Sequence, residues 1–75
     1  FDWFGDLNEP RAMVIVALAF QMGFPRLNQF KNMIAALADE DYEKASVELM
    51  DSKFARQVPA RAERLAKIIL TGDWD

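Results

Sequence analysis

The longest apolar run of the chain reads AMVIVALAFQMG and covers residues 12–23. Gln21 is its only polar side chain, and no helix-breaking residue occurs in the run before Gly23. A helix that is apolar on every side is normally buried, and this run is too short to cross a bilayer, which takes about 20 residues. We therefore predict an all-α domain, a small orthogonal helical bundle around a buried central helix.

The composition limits the size and the chemistry of the chain. Its 75 residues, 52% of them hydrophobic, suffice for one domain with a thin margin of stability. The chain has no cysteine and no histidine, which excludes disulfides, thiolate metal sites and histidine as a general base within it. A net charge of −3 leaves no electrostatic footprint for nucleic acid. We expect no cofactor, no metal, no nucleic-acid partner and no membrane span.

Helix start and stop signals divide the chain into helical segments. Asn8 is a suitable N-cap and Gly23 a terminator, which places the first helix at residues 9–22. Pro59 suits the first position of the last helix, which should stop at residues 71–72. Apolar spacing and further caps predict the segments between them, at residues 25–29, 31–37, 42–50 and 53–57.

Aromatic residues flank these helices at both ends of the chain. The lead-in FDWFGDL, residues 1–7, is either an apolar arm packed on the core or part of a linker to an upstream domain. Residues 8–75 then form the helical domain, and Trp74 should fold back onto its core. Because the chain opens on Phe1 rather than on methionine, we expect a piece of a longer protein.

Three consecutive acids occupy residues 39–41. They could bind a cation, but the segment lacks the glycine and the ladder of ligands that a calcium loop has. We therefore interpret them as a solvated turn in which Asp41 caps the next helix.

The remaining polar candidates each have two interpretations. Gln21 is either a helix-end residue that bonds the backbone or a hydrogen-bonding group on a cleft wall beside Phe20. Arg61 and Arg64 are either solvated cations or groups that face a carboxylate on an absent partner. No carboxylate stands alone in an apolar segment, where burial would suit it to act as the acid of a glycosidase.

Three short motifs carry a resemblance to a known family. They are FQMG at residues 20–23, then Q-x-P-x-R-A-x-R, then TG-x-WD, the last two formed by Gln57, Pro59, Arg61, Ala62 and Arg64 and by Thr71, Gly72, Trp74 and Asp75. In this order and spacing, the chain from Leu7 onward resembles the C-terminal lobe of the phage-type lysozymes, the muramidases of T-even bacteriophages.

The resemblance implies an all-α lobe that forms one wall of a peptidoglycan cleft. The implied reaction of the parent enzyme, a glycoside hydrolase, is hydrolysis of the β-1,4 bond between N-acetylmuramic acid and N-acetylglucosamine. Because that family carries its catalytic residues in an N-terminal lobe, this chain alone should be inactive. The implied partners are peptidoglycan and the N-terminal catalytic lobe. The resemblance further implies that the protein is encoded by a phage or prophage. It would act on the bacterial cell wall after release from the host cytoplasm.

The resemblance also suggests roles for individual residues. Phe20 corresponds to a substrate contact, and Gln21 lies next to it on the cleft side. Arg61 corresponds to an arginine that reaches toward the catalytic glutamate, and Arg64 should help to support the catalytic lobe.

The chain departs from the family pattern at several positions. Met33 and Glu48 stand where the family has small polar saccharide contacts, Phe54 replaces a tryptophan, and the acidic balance contrasts with the basic phage enzymes. An alternative is therefore a stand-alone, non-catalytic helical interaction module on the same scaffold.

Overall fold

The computed structural model describes residues 2–74, with side chains from residue 4 onward. It contains a short 3₁₀ helix and five α-helices, and no strand occurs among these residues, so the predicted all-α class is confirmed. The elements in chain order are the 3₁₀ helix Asp2–Asp6, α1 Glu9–Leu27, α2 Lys31–Ala38, α3 Tyr42–Met50, α4 Lys53–Gln57 and α5 Pro59–Thr71.

The first helix begins and breaks where the sequence predicts. The Arg11 backbone N–H donates to the side-chain oxygen of Asn8 at 3.1 Å, which is the expected N-cap. Gly23 leaves helical geometry with φ 80° and ψ 159°, a conformation that glycine adopts readily because it has no Cβ. One further turn follows the break and ends at Leu27. Pro25 is tolerated in that turn because the break has already removed the intrahelical partner of its missing N–H.

Local caps also set the boundaries of the later helices as predicted. Asp41 accepts from the Lys44 N–H at 3.2 Å before α3, and Ser52 accepts from the Ala55 N–H at 3.2 Å before α4. Gly72, with φ 75°, ends α5 in the left-handed region. The acids at residues 39–41 are all exposed, which agrees with a solvated turn.

The core lies where α5 packs against α3, α4 and α1. Within residues 4–74 every buried side chain is apolar, and no charged or polar side chain is buried. Burying each large aliphatic side chain stabilises the fold by about 1.5–3 kcal/mol. The most deeply buried large side chains are Val14, Leu18, Leu27, Met33, Leu37, Leu49 and Ile69.

Although its sequence is apolar all round, α1 is covered on one side only. Val14 and Leu18 are 1% and 0% exposed, whereas Phe20 is 88% exposed and Phe24 is 62% exposed. The main contact of α1 is with α5, and α5 rather than α1 joins most of the other helices. An apolar sequence indicates a tendency to be buried but not which element covers each face, and the described residues supply a neighbour for one face of α1.

At the chain ends, one expectation is wrong. Trp74 is 55% exposed and does not fold back onto the core. In the lead-in, Phe4 and Leu7 are half-buried against the core, while Phe1 lies outside the described residues. Across residues 2–74 no helix combines the length and the hydropathy that crossing a bilayer requires.

Candidate functional site

The uncovered side of α1 forms an apolar depression with a volume of about 600 Å³. We call it the apolar hollow. Its two most exposed aromatic rings belong to Phe20 and Phe24, which the fold of the described residues leaves in solvent. Exposed apolar patches of this kind mark interaction sites more often than ordinary surface. The hollow is lined by Phe4, Ile15, Val16, Ala19, Phe20 and Phe24.

A second depression of about 480 Å³ lies between the end of α1 and α4. We call it the polar groove. It combines three glutamine amides, which both donate and accept hydrogen bonds, with two cations and two phenylalanine rings. No carboxylate lines it, although the chain as a whole is acidic. Its lining residues are Gln21, Met22, Arg26, Gln29, Phe30, Ser52, Lys53, Phe54, Gln57 and Val58.

Phe20 and Gln21 are sequence neighbours that face different depressions. Phe20 lines the apolar hollow, and Gln21 lines the polar groove together with Gln57. The Gln21 side chain is exposed and bonds no backbone group within residues 2–74. The oxygen and the NH2 of its side-chain amide are therefore available to a ligand in the groove.

The two arginines of the predicted site lie apart from these depressions. Arg61 and Arg64 are exposed on α5 and line neither the apolar hollow nor the polar groove. Arg61 makes no hydrogen bond or ion pair within the described part of the chain. The structure thus brings Phe20 and Gln21 to adjacent surfaces but does not bring either arginine to them.

The positions that depart from the family pattern are spread over core and surface. Met33 is 1% exposed and belongs to the hydrophobic core, and Phe54 is 8% exposed at the floor of the polar groove. Glu48 is half-buried and lines a small third depression of about 210 Å³.

Sequence reasoning missed most of the polar groove. Arg26 and Lys53 look like ordinary solvated charges in the sequence, because nothing local shows that α4 faces the end of α1. One available signal was Gln57, which belongs to the Q-x-P-x-R-A-x-R motif and lines the groove.

No protein-family model matches the chain. Among curated proteins, it is 39% identical over 67 residues to the pre-baseplate central spike protein Gp5 of Enterobacteria phage T4, a match that covers 89% of the chain and 12% of Gp5. It is 35% identical over 66 residues to the peptidoglycan hydrolase gp36 of Pseudomonas phage phiKMV, covering 88% of the chain and 7% of gp36.

A further relative is a protein of Dictyostelium discoideum named "Probable T4-type lysozyme 2". The chain is 28% identical to it over 69 residues, which cover 92% of the chain and 41% of the relative. The chain therefore spans less than half the length of each of these three proteins.

Proposed function

This chain is a relative of the phage-type lysozymes, and from that premise we propose that it is one lobe of a peptidoglycan-degrading glycoside hydrolase. The proposed reaction of the whole enzyme is hydrolysis of the β-1,4 bond between N-acetylmuramic acid and N-acetylglucosamine. The observation that carries the assignment of this lobe as a cleft wall is that two neighbouring residues of α1 are both exposed, the ring of Phe20 at the apolar hollow and the amide of Gln21 at the polar groove.

In this proposal Phe20 and Gln21 make different kinds of contact with the substrate. The ring of Phe20, which is 88% exposed, offers an apolar surface to the face of a saccharide ring. The amide of Gln21 can donate to and accept from hydroxyl or acetamido groups along the polar groove.

The proton transfers belong to the missing lobe. A glycosidase needs a carboxylic acid whose pKa is raised by burial, paired with a second carboxylate. No charged side chain is buried within residues 4–74, so none of the described carboxylates has that environment. The general acid and its partner are therefore assigned to an N-terminal catalytic lobe.

The exposed arginines of α5 are proposed to face that lobe. Arg61 has no ion-pair partner within the described residues, and it lies in the first turn of α5. A guanidinium there can bond a carboxylate with two parallel hydrogen bonds. Arg64, one turn further along α5, is proposed to add a second positive charge that faces the carboxylates of the same lobe.

The domain and cellular assignments follow from the same proposal. Residues 8–75 are the lobe, residues 1–7 are the connection to the upstream lobe, and the partners are that lobe and peptidoglycan. The protein is proposed to be encoded by a phage or prophage and to act on the bacterial cell wall after release from the host cytoplasm.

A turbidity assay on a peptidoglycan suspension tests the activity. The chain alone should clear the suspension at no pH between about 4 and 8, because the catalytic carboxylates are elsewhere. Adding the N-terminal lobe of a phage-type lysozyme in trans should restore clearing. Clearing by the chain alone, if it survives repurification, would overturn the division of labour between the lobes.

A melting experiment tests the partner. The added lobe should raise the melting temperature of the chain, by mass action worth about 2.7 kcal/mol at about 100 times Kd. Arg61→Glu should remove much of this gain, because the variant places an anion opposite the proposed carboxylate. Lys67→Glu, which changes the same charge further along α5, is the matched control and should keep the gain.

The second candidate function is a stand-alone, non-catalytic helical interaction module. The exposed aromatic rings of the apolar hollow favour it, since they suit a protein partner as well as a saccharide. A chain whose melting temperature is indifferent to the added lobe, and which binds no peptidoglycan fragment, would support this candidate and contradict the first.

A further inference from the structure

Side chains from the start of α1 donate hydrogen bonds to the last carbonyl groups of α5. The last carbonyls of a helix have no intrahelical donor and need partners from elsewhere. Arg11 donates from Nε to the carbonyl of Ile69 at 2.7 Å and from Nη2 to the carbonyl of Leu70 at 3.2 Å. Asn8 donates from Nδ2 to the carbonyl of Gly72 at 2.8 Å. These bonds join residues that are 58 to 64 positions apart in the chain.

The charge of Arg11 fits the end of α5 and not the start of its own helix. A cation is favoured near the C-terminus of a helix and disfavoured near the N-terminus, because of the helix dipole. Arg11 lies in the first turn of α1, whereas the last turn of α5 has no basic residue of its own. The favourable interaction of its charge with the C-terminus of α5 therefore explains why a cation occupies position 11.

A third helix contacts the same guanidinium group. The Cζ atom of Arg11 lies 3.6 Å from the centroid of the ring of Tyr42, the first residue of α3. A cation over an aromatic face is attracted by the negative charge of the ring face. One side chain thus joins α1, α3 and α5.

The backbone at the end of α5 leaves room for these side chains. Gly72 has φ +75°, and a Cβ built on it would stand 2.8 Å from Asn8 Nδ2 and 3.0 Å from Arg11 Cζ. A larger residue would push both side chains away from the carbonyls that they bond. The contact therefore depends on glycine at this position.

We propose that Asn8 and Arg11 clamp the two ends of residues 8–72 together and make this segment a single cooperative folding unit. In such a unit the end of α5 cannot detach without breaking its bonds to the start of α1, so the first and last helices open together. This inference is independent of the proposed activity.

Native-state hydrogen exchange of the 75-residue chain tests the clamp. In the unaltered chain, the amides of the last turn of α5 should be protected as strongly as those of Ala45 and Leu49 in α3, because all of them exchange only on global opening. In Arg11→Met, which keeps much of the apolar stem, the last turn should become more than about tenfold less protected than α3.

Lys44→Met is the matched control. Lys44 occupies the same position in the first turn of α3 that Arg11 occupies in α1, its N–H donates to the cap residue in the same way, and its side chain is exposed. Removing its charge should leave the protection of the last turn of α5 equal to that of α3.

Two further variants keep the test decisive where Arg11→Met does not fold. Arg11→Lys retains the charge but loses the two-pronged donation, and Asn8→Asp retains the N-cap acceptor but loses the donor to Gly72. Each should lower protection of the last turn of α5 relative to α3. If the last turn already exchanges faster than α3 in the unaltered chain, or if no variant lowers its protection relative to α3, the contact is a local cap and the proposal is overturned.

Discussion

The two halves of α1 are both largely apolar but differ in their surroundings. In the first half, Val14 and Leu18 are 1% and 0% exposed, and Arg11 is bonded to the end of α5. In the second half, Phe20 and Phe24 are 88% and 62% exposed. The first half packs into the core, whereas the second half, although Leu27 at its end is buried, also presents apolar surface that the described residues leave uncovered. Side chains that pack into the core and side chains left exposed are therefore separated along a single helix.

The strongest way to sharpen this comparison is to truncate one large side chain in each half. Leu18→Ala and Ile15→Ala should each lower the free energy of unfolding by about 2–5 kcal/mol, because each leaves a cavity in the core. Phe20→Ala should change it by less than about 0.5 kcal/mol, since the ring is in solvent. Urea denaturation of the three variants measures the difference, and equal losses would show that the two halves of α1 do not differ.

A smaller effect is expected where the first half of α1 meets the end of α5. Gly72→Ala should lower the free energy of unfolding by about 1–3 kcal/mol, because its φ of +75° is unfavourable for alanine and the new Cβ would displace Asn8. Gly5→Ala is the control, since a Cβ on Gly5 would meet nothing within 4 Å. Thermal melts of the two variants that shift by the same amount would contradict this account of the end of α5.

The smallest effect on stability should come from making the second half of α1 polar. Phe20→Gln combined with Phe24→Gln should leave the melting temperature of a dilute sample nearly unchanged, since both rings are exposed. The same variant should lose the self-association that we expect of the unaltered chain at high concentration, because the apolar hollow no longer attracts a second copy. Sedimentation velocity over a range of concentrations measures this, and an unaltered chain that stays monomeric throughout would count against the hollow as a binding surface.

Local sequence signals predicted most of the helices correctly. The predicted segments at residues 42–50 and 53–57 coincide with α3 and α4, and Pro59 begins α5 as expected. Capping side chains and glycines with positive φ act within a few residues, so the sequence contains all the information that sets these boundaries. The resemblance to the phage-type lysozymes is likewise confirmed, since the chain matches a T4-type lysozyme and a phage peptidoglycan hydrolase. It could be predicted because the motifs and their spacing are properties of the sequence alone.

The candidate site was predictable only in part, because local signals do not report which helices lie near each other. Gln21 could be named because it is the only polar side chain in the apolar run, and Phe20 because the resemblance to the phage-type lysozymes implies a substrate contact there. The groove that Gln21 lines is also lined by Lys53 and Gln57, because α4 lies across the groove from the end of α1. No local pattern reports that packing.

By itself, then, the sequence determined the helical class, the positions of the caps and breaks, and the family. Only the tertiary structure decided that one side of α1 stays uncovered, that Trp74 points into solvent and that Arg11 closes α5. Periodicity states which side chains tend to be buried, but burial also requires a neighbour, and the neighbour is chosen by contacts between residues far apart in the chain. The bond between Arg11 and Ile69 spans 58 residues, and such a pairing exists only once the helices have packed.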